Sequence, residues 1–220
     1  MKKFVTILLI TISLQAAAQY DSSFRFYYYD QKLSMFEQMP AKDNCIIWLG
    51  DSITDGCEWS ELFPNYNNLN RGVSSDNTFG VLNRLPEIIR RKPAKVFILI
   101  GINDIARNIP VDVILRNYTK MVERIQQESP RTKIYVQSLL PTNNQFTQFK
   151  NHQNKEAVIQ TVNKGIAQLA IDKKINFIDL YAAFQDKEGR LDVRFTNDGL
   201  HLTGAGYLRW KEVLTQGKYL

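Results

Sequence analysis

The segment IIWLGDSITDG, residues 46–56, contains a serine that could act as a nucleophile. Four apolar residues run directly into Gly50, Asp51 and Ser52. Gly, Asp and Ser are ordinary turn residues, but the carboxyl end of a strand is also where open α/β sheets build their sites. A serine hydroxyl needs a base to remove its proton and a third group to orient that base. The rest of the chain must therefore supply a histidine and a carboxylate if Ser52 does chemistry.

The chain has two histidines, and their surroundings differ. His201 follows Asp198 by three residues, so this carboxylate could accept a hydrogen bond from imidazole Nδ1 and leave Nε2 facing a serine. The same spacing is also common in purely structural turns. His152 lies in the polar segment KNHQN, without a nearby acid or apolar residues, and is expected to be a solvated surface histidine. His201 is thus the candidate base, with Asp198 the group that orients it.

Gly72 and Asn103 could donate hydrogen bonds to a developing oxyanion. Gly72 follows a weak apolar run, and its lack of a side chain would let its backbone N–H approach a bound oxygen. Asn103 follows a stronger apolar run, and its amide can also donate. Acyl transfer needs two or three such donors, each contributing about 3 kcal/mol. Each segment could be a plain strand-ending turn, but all lie at predicted carboxyl ends of strands or in the final loop, on one rim.

Apolar runs of strand length alternate along the chain with amphipathic stretches of helical length. Such an alternation predicts a parallel sheet of about five strands, covered by helices on both faces and joined by right-handed crossovers. The predicted strands are residues 45–49, 67–70, 96–100, 134–140 and 175–180, and the main predicted helices are 78–91, 113–127, 157–171 and 205–214. The aromatic-rich stretch 22–39 is expected to be a helix on the sheet edge, with a sugar-stacking platform as the alternative.

Residues 1–18 have the charged, apolar and small-residue regions of a secretory signal. The apolar run is shorter than the roughly 20 residues that span a bilayer, and a buried N-terminal helix is the alternative. We expect cleavage near Ala18, one domain over residues 19–220, and an exported, periplasmic or secreted protein without stable membrane insertion. The formal net charge is +6, with Lys and Arg scattered, so nucleic-acid binding is not predicted.

Four short blocks of this sequence together resemble the SGNH, or GDSL-type, esterase/lipase family. They are GDSI at 50–53, Gly72, GIND at 101–104 and DGLH at 198–201, and they occur in the family's order and context. The first block has Ile where the family has Leu, a change that touches none of the functional positions. The resemblance covers residues from about 45 to 214 and implies a flavodoxin-like three-layer α/β/α sandwich, which agrees with the alternation of strands and helices.

The resemblance also implies roles for individual residues. Ser52 would be the nucleophile, His201 the base and Asp198 the residue that orients the base. The oxyanion donors would be the backbone N–H groups of Ser52 and Gly72 and the side chain of Asn103. No cofactor is implied. A metal site is not predicted either, because the two histidines are far apart and no acidic loop has calcium-ligand spacing.

The expected reaction is hydrolysis of a small acyl ester through an acyl-enzyme. Exported proteins of this type resemble carbohydrate acetylesterases and platelet-activating-factor acetylhydrolases, and the polar segments between the blocks favour an O-acetylated sugar. Trp59 and Phe63 could wall a small acyl pocket, or could equally be core residues. A lysophospholipase or thioesterase is the alternative. A catalytically dead glycan-binding module would lack a catalytic residue, and none is missing here. The sequence does not predict the oligomeric state.

Overall fold

A single parallel sheet organises the chain, in a computed structural model that describes residues 20–220. The strand order is β2-β1-β3-β4-β5, which is the flavodoxin-like doubly wound order. The strands are β1 (Ile46–Gly50), β2 (Asn68–Gly72), β3 (Lys95–Leu99), β4 (Lys133–Gln137) and β5 (Asn176–Ile178). Each overlaps a predicted strand, and the predicted α/β fold is confirmed. The predicted signal peptide, residues 1–18, lies outside the described residues.

Helices connect the strands and cover the sheet. They are α1 (Tyr27–Gln38), α2 (Ser52–Asp55), α3 (Trp59–Leu62), α4 (Thr78–Ile89), α5 (Ile102–Ala106), α6 (Val111–Glu128), α7 (Glu156–Lys173), α8 (Tyr181–Phe184) and α9 (Gly204–Gln216). The four long predicted helices correspond to α4, α6, α7 and α9. Between residues 20 and 220, no helix has the length and apolar composition needed to cross a membrane.

Stacked aromatic rings cross one face of the sheet. Trp48, Phe97 and Tyr135 are paired in register on β1, β3 and β4, and successive ring centroids are 4.5 Å apart. The ring of Trp59 in α3 stacks on that of Trp48, with the centroids 3.8 Å apart, and Phe63 is also in the core. Trp59 and Phe63 are only 1% and 4% exposed. Of the two alternatives for Trp59 and Phe63, the structure therefore supports core residues, and the acyl-pocket wall is wrong. Their large apolar surfaces are buried against the sheet instead.

Helix α1 covers the β2 edge of the sheet, as expected for the aromatic-rich stretch. The Tyr29 hydroxyl donates to the carbonyl of Gly80 at 2.9 Å, which joins α1 to α4. Phe36 lies 4.3 Å beneath the guanidinium of Arg71 in β2. The carboxylate of Asp55, at the end of α2, accepts hydrogen bonds from two α1 side chains. The N-terminal helix is thus fastened to the loops that follow β1 and β2.

The side chain of Arg84 runs from α4 beneath the carboxyl ends of β1 and β2. It is 1% exposed and pairs with the fully buried Asp76, Nε to Oδ2 at 2.8 Å. Its Nη1 and Nη2 donate to the carbonyls of Arg71 and Gly50 at 2.9 and 3.0 Å. One guanidinium therefore holds two strand ends and the loop after β2 in a fixed arrangement. Because these groups are buried, loss of the cation would leave an uncompensated charge.

We predict that Arg84→Met lowers the free energy of unfolding by about 3–5 kcal/mol, the usual effect of breaking a buried ion pair from one side. Urea denaturation measures this change. The matched control is Arg116→Met, which removes an exposed ion pair with Asp112 on α6 and should change stability by at most about 1 kcal/mol. Equal losses in the two variants would contradict the structural role of Arg84.

Candidate active site

Ser52 stands at an abrupt turn between β1 and α2. Gly50 is required at the end of the strand, because a Cβ there would lie 2.2 Å from Thr54 Oγ1 and 2.3 Å from the Leu99 carbonyl oxygen. The next residue, Asp51, caps α2 by accepting a hydrogen bond from the Ile53 N–H at 3.0 Å. The neighbours of the serine thus shape the turn, as expected, while the serine side chain remains partly exposed.

A continuous chain of hydrogen bonds joins Ser52, His201 and Asp198. The distance from Ser52 Oγ to His201 Nε2 is 2.9 Å, across 149 positions of sequence. His201 Nδ1 lies 2.7 Å from Asp198 Oδ2, so Nδ1 carries the proton and Nε2 is left free to accept one. The structure brings together the three residues that the sequence singled out.

The carboxylate of Asp198 is held in its charged form. Its Oδ1 accepts the backbone N–H groups of Leu200 and His201 at 2.9 and 2.8 Å. Partial burial raises the pKa of Asp198, but hydrogen bonds from His201 and Leu200 outweigh it and bring the pKa below its usual value. Asp198 therefore stays ionised at neutral pH and can orient the imidazole.

The turn between Asp198 and His201 depends on Gly199. This residue has φ +84°, and a Cβ on it would lie 2.4 Å from the carbonyl oxygen of Asn143. The backbones of Asn143 and Gly199 are joined by a 2.8 Å hydrogen bond, and the fully buried Asn143 amide donates to the Leu191 carbonyl. The loop after β4 and the loop that carries His201 thus pack backbone to backbone.

Asn103 lies at the start of α5, directly after β3. Its Nδ2 donates to the carbonyl of Asp76 at 2.8 Å, which leaves the second proton of the amide group available to a substrate. Gly72 is different: its N–H donates to Asn70 Oδ1 at 2.8 Å, and a Cβ there would lie 2.1 Å from the backbone nitrogen of Asp55. Gly72 allows β2 to approach α2, and the prediction that its N–H faces an oxyanion is wrong.

The loop after β2 contains another backbone donor, which the sequence did not reveal. The N–H groups of Ser74 and Asp76 donate to Asp55 Oδ2 and to the Val73 carbonyl. That of Ser75 makes no hydrogen bond within residues 20–220, and Ser75 is exposed with φ +67°. A left-handed conformation at a serine is uncommon, and nothing in the local sequence predicts it.

His152 lies at the site rather than in solvent, which corrects the prediction. Its Nε2 is 3.0 Å from Asn103 Oδ1. The ring of Phe149, from the same loop, lies 6.0 Å from His152 and 4.8 Å from His201, centroid to centroid. Burial and the neighbouring His201 lower the pKa of His152. The sequence concealed this arrangement because Asn103 is 49 positions away.

Comparison with known proteins identifies the family. Residues 48–209 match the GDSL-like Lipase/Acylhydrolase family. The chain belongs to this family. It is 27% identical over 174 residues to platelet-activating factor acetylhydrolase IB subunit alpha2 of Rattus norvegicus, covering 76% of this chain and 73% of the relative.

Two solved structures have the same fold as this acylhydrolase. One is a candidate platelet activating factor from Streptococcus pneumoniae, with a TM-score of 0.80, 27% identity, and coverage of 86% of this chain and 92% of the other. The second is a GDSL-like lipase from Bacteroides thetaiotaomicron, with a TM-score of 0.76, 26% identity, and coverage of 87% and 98%. The family and these neighbours make the protein a hydrolase that acts on esters.

Buried carboxylates lie beneath the active-site rim of the acylhydrolase. Burial raises the pKa of Asp51 to about 7, and Asp76 and Asp104 add to the effect. Burial likewise raises the pKa of Asp104 to about 6. Within the described part of the chain, no cluster of three or more His, Cys, Asp or Glu side chains could hold a metal ion. These acids support the backbone; Asp104, for example, accepts the N–H of Thr78 at 3.0 Å.

We predict that Asp51→Asn becomes progressively more stable relative to the wild type as the pH rises from about 5 to 7. A folded-state pKa raised above the unfolded value makes the native state bind more protons, so the wild type loses stability with rising pH through this window. Asparagine cannot ionise and avoids that loss. Urea denaturation at several pH values measures the difference.

The control for this experiment is Asp186→Asn. At Asp186 the effect of burial is outweighed by hydrogen bonds from Arg190, which lower the pKa. The contribution of Asp186 is therefore complete above about pH 5, and this variant should differ from the wild type by a constant amount. A constant difference for Asp51→Asn as well would show that Asp51 titrates normally.

Proposed function

We propose that this acylhydrolase is a serine esterase that removes small acyl groups, chiefly O-acetyl groups, from carbohydrate. The observation that carries the mechanism is the hydrogen-bond chain from Ser52 Oγ through His201 to Asp198. This arrangement can remove a proton from the serine hydroxyl and return it to a leaving alcohol.

The proposed reaction has two halves. Ser52 Oγ attacks the ester carbonyl carbon while His201 Nε2 takes the hydroxyl proton, and the imidazolium then gives that proton to the sugar oxygen as the C–O bond breaks. A water molecule, deprotonated by His201, attacks the acetyl-serine, and acetate leaves as the serine recovers its proton. Asp198 remains ionised and stabilises the imidazolium in both halves.

Three donors are proposed for the tetrahedral oxyanion. They are the backbone N–H groups of Ser52 and Ser75 and the second amide proton of Asn103. Neither backbone N–H has a hydrogen-bond acceptor among residues 20–220. Asn103 binds the carbonyl of Asp76, the residue after Ser75, so these two donors are neighbours. Each such donor contributes about 3 kcal/mol to the stability of the transition state.

A groove beside Ser75 supports a sugar as the alcohol. Its cavity volume is about 460 Å³, and it is lined by the aromatic-rich residues 23–28 together with Ser74, Ser75 and Arg107. Aromatic faces combined with hydroxyl and guanidinium donors suit a ring that is apolar on one side and polar at its edge. Export, proposed from residues 1–18, would bring the enzyme to extracellular glycans.

Two rings at the rim of the site support a small acyl group. Phe149 and His152 lie beside His201 and Asn103, and we assign to them the bulky wall for which Trp59 and Phe63 were the candidates from the sequence. The matched relative is named an acetylhydrolase, which agrees with a small acyl group. A lysophospholipase or thioesterase of the same family is the alternative.

We predict that Ser52→Ala and His201→Ala lower kcat for ester hydrolysis by about 10³-fold or more, because nucleophile and base act as a unit. Asp198→Asn should lower kcat less than His201→Ala does. Steady-state kinetics on p-nitrophenyl acetate measure these effects. The control is Ser60→Ala, an exposed serine on α3, which should behave as the wild type. A Ser52→Ala enzyme within about tenfold of the wild type would remove the nucleophile assignment.

We also predict that kcat/KM on acetyl esters exceeds that on octanoyl esters by at least about tenfold, or ~1.4 kcal/mol. A closed acyl site rejects longer chains because overpacking costs about 1–3 kcal/mol. An open apolar channel would instead gain about 0.8 kcal/mol for each buried methylene. The measurement is a series of p-nitrophenyl esters, followed by acetate release from acetylated glycans.

The two parts of that experiment test different parts of the proposal. Equal or greater activity on octanoyl esters would favour the lysophospholipase alternative. A preference for aryl acetates with no acetate released from any acetylated glycan would retain the small acyl group and reject carbohydrate as the alcohol.

A further inference from the structure

His152 makes the only hydrogen bond to the amide oxygen of Asn103 among the described residues. Nε2 and Asn103 Oδ1 are 3.0 Å apart, and an amide oxygen can only accept. Nε2 must therefore carry a proton, and the neutral ring has its unprotonated nitrogen at Nδ1. That atom is buried and has no hydrogen-bond partner among residues 20–220, so the only side-chain hydrogen bond of His152 to this part of the chain is the one with Asn103.

The amide group of Asn103 is consequently fixed from two sides. Its oxygen accepts from His152, and one proton of its nitrogen is donated to the Asp76 carbonyl at 2.8 Å. A flip of the amide would place two donors against each other at His152 and two acceptors against each other at Asp76. Only one orientation satisfies both neighbours, and it leaves one N–H proton unused.

We propose that His152 is a positioning residue for the oxyanion site. By donating to Asn103 Oδ1 it would keep the amide nitrogen, rather than the amide oxygen, directed at the developing negative charge. This inference rests on the oxyanion role that the proposed function gives to Asn103. Preorganised donors are effective because they do not have to reorient during the reaction. Loss of the hydrogen bond between His152 and Asn103 should therefore lower kcat rather than change KM.

The loop that carries His152 is built to hold it against α5. The turn Lys150–His152 packs on α5, and Thr142 Oγ1 donates to the His152 carbonyl at 3.2 Å. The ring of Phe149 packs against both imidazoles. The same loop therefore contacts the base and the side-chain oxyanion donor, which links the two halves of the active site.

The test compares three substitutions of His152 on p-nitrophenyl acetate. His152→Phe keeps a ring against Phe149 but has no donor, and His152→Ala lacks both; each should lower kcat by about tenfold to a hundredfold, with KM within about threefold of the wild type. His152→Gln can still donate through its amide and should recover most of the lost kcat. Wild-type kcat in His152→Phe, or no recovery in His152→Gln, would overturn the proposal.

A double-mutant cycle separates positioning from a general loosening of the loop. In an Asn103→Ala background, His152→Phe should have little further effect on kcat, because the side chain that it positions is absent. Additive effects would overturn the proposal. Asn144→Ala is the matched control: it removes a 2.7 Å hydrogen bond to Asn154 within the same loop and should leave kcat within about twofold of the wild type. Ser52→Ala tests the serine nucleophile of the proposed function separately, so that failure of the proposed function can be told apart from failure of the role given to His152.

Discussion

The buried ion pair between Arg84 and Asp76 is the interaction on which the active-site rim depends. The guanidinium ties the ends of β1 and β2, and its carboxylate partner also accepts the N–H of Asn77 at 2.8 Å. A buried pair is tolerated when further hydrogen bonds satisfy its polar atoms, and here every side-chain nitrogen and oxygen of the two residues has at least one hydrogen-bond partner. The backbone carbonyl of Asp76 in turn holds Asn103. The ion pair beneath the ends of β1 and β2 thus fixes the position of Asp76, whose carbonyl binds the side chain proposed to stabilise the oxyanion.

The loops at the carboxyl ends of the strands are joined to one another by hydrogen bonds, in addition to their connections to the sheet. Asp55 joins the turn after Ser52 to Ser74 and to helix α1. Asn143 and Gly199 join the loop after β4 to the turn that carries His201. Each tie is a hydrogen bond between chain segments that lie far apart in sequence. Electrostatic stabilisation of a transition state requires donors that are already in place, and these contacts provide that rigidity.

The proposed catalytic residues and the proposed alcohol groove come from different regions of the chain. Ser52, Asn103 and His201 fall within residues 48–209, the part that matches the family. The groove beside Ser75 is completed by residues 23–28, which precede the matched region. Under the proposed function, a shared hydrolytic centre would be combined with an alcohol site contributed by the N-terminal segment. Differences in that segment would change the substrate without disturbing the chemistry.

The sequence by itself determined the main elements and the candidate catalytic residues. Strands and long helices could be recognised because apolar periodicity is local. Ser52, Asn103 and His201 could be recognised because each follows a predicted strand or lies in the final loop, within a short block that resembles the family. Their relation to one sheet edge then follows from the parallel topology, since the carboxyl ends of such strands share one rim.

Only the tertiary structure decided the roles of the remaining residues. Trp59 lies near Ser52 in sequence, but the stack on Trp48 draws it into the core. Gly72 was a candidate because a glycine N–H can approach a bound oxygen, yet its N–H is already hydrogen-bonded to Asn70. In the loop that follows, the Ser75 N–H is the one without an acceptor among residues 20–220. His152 looked solvated because its partner, Asn103, comes from a distant strand end. Hydrogen bonds and packing between distant segments depend on three-dimensional distances, which local sequence patterns do not encode.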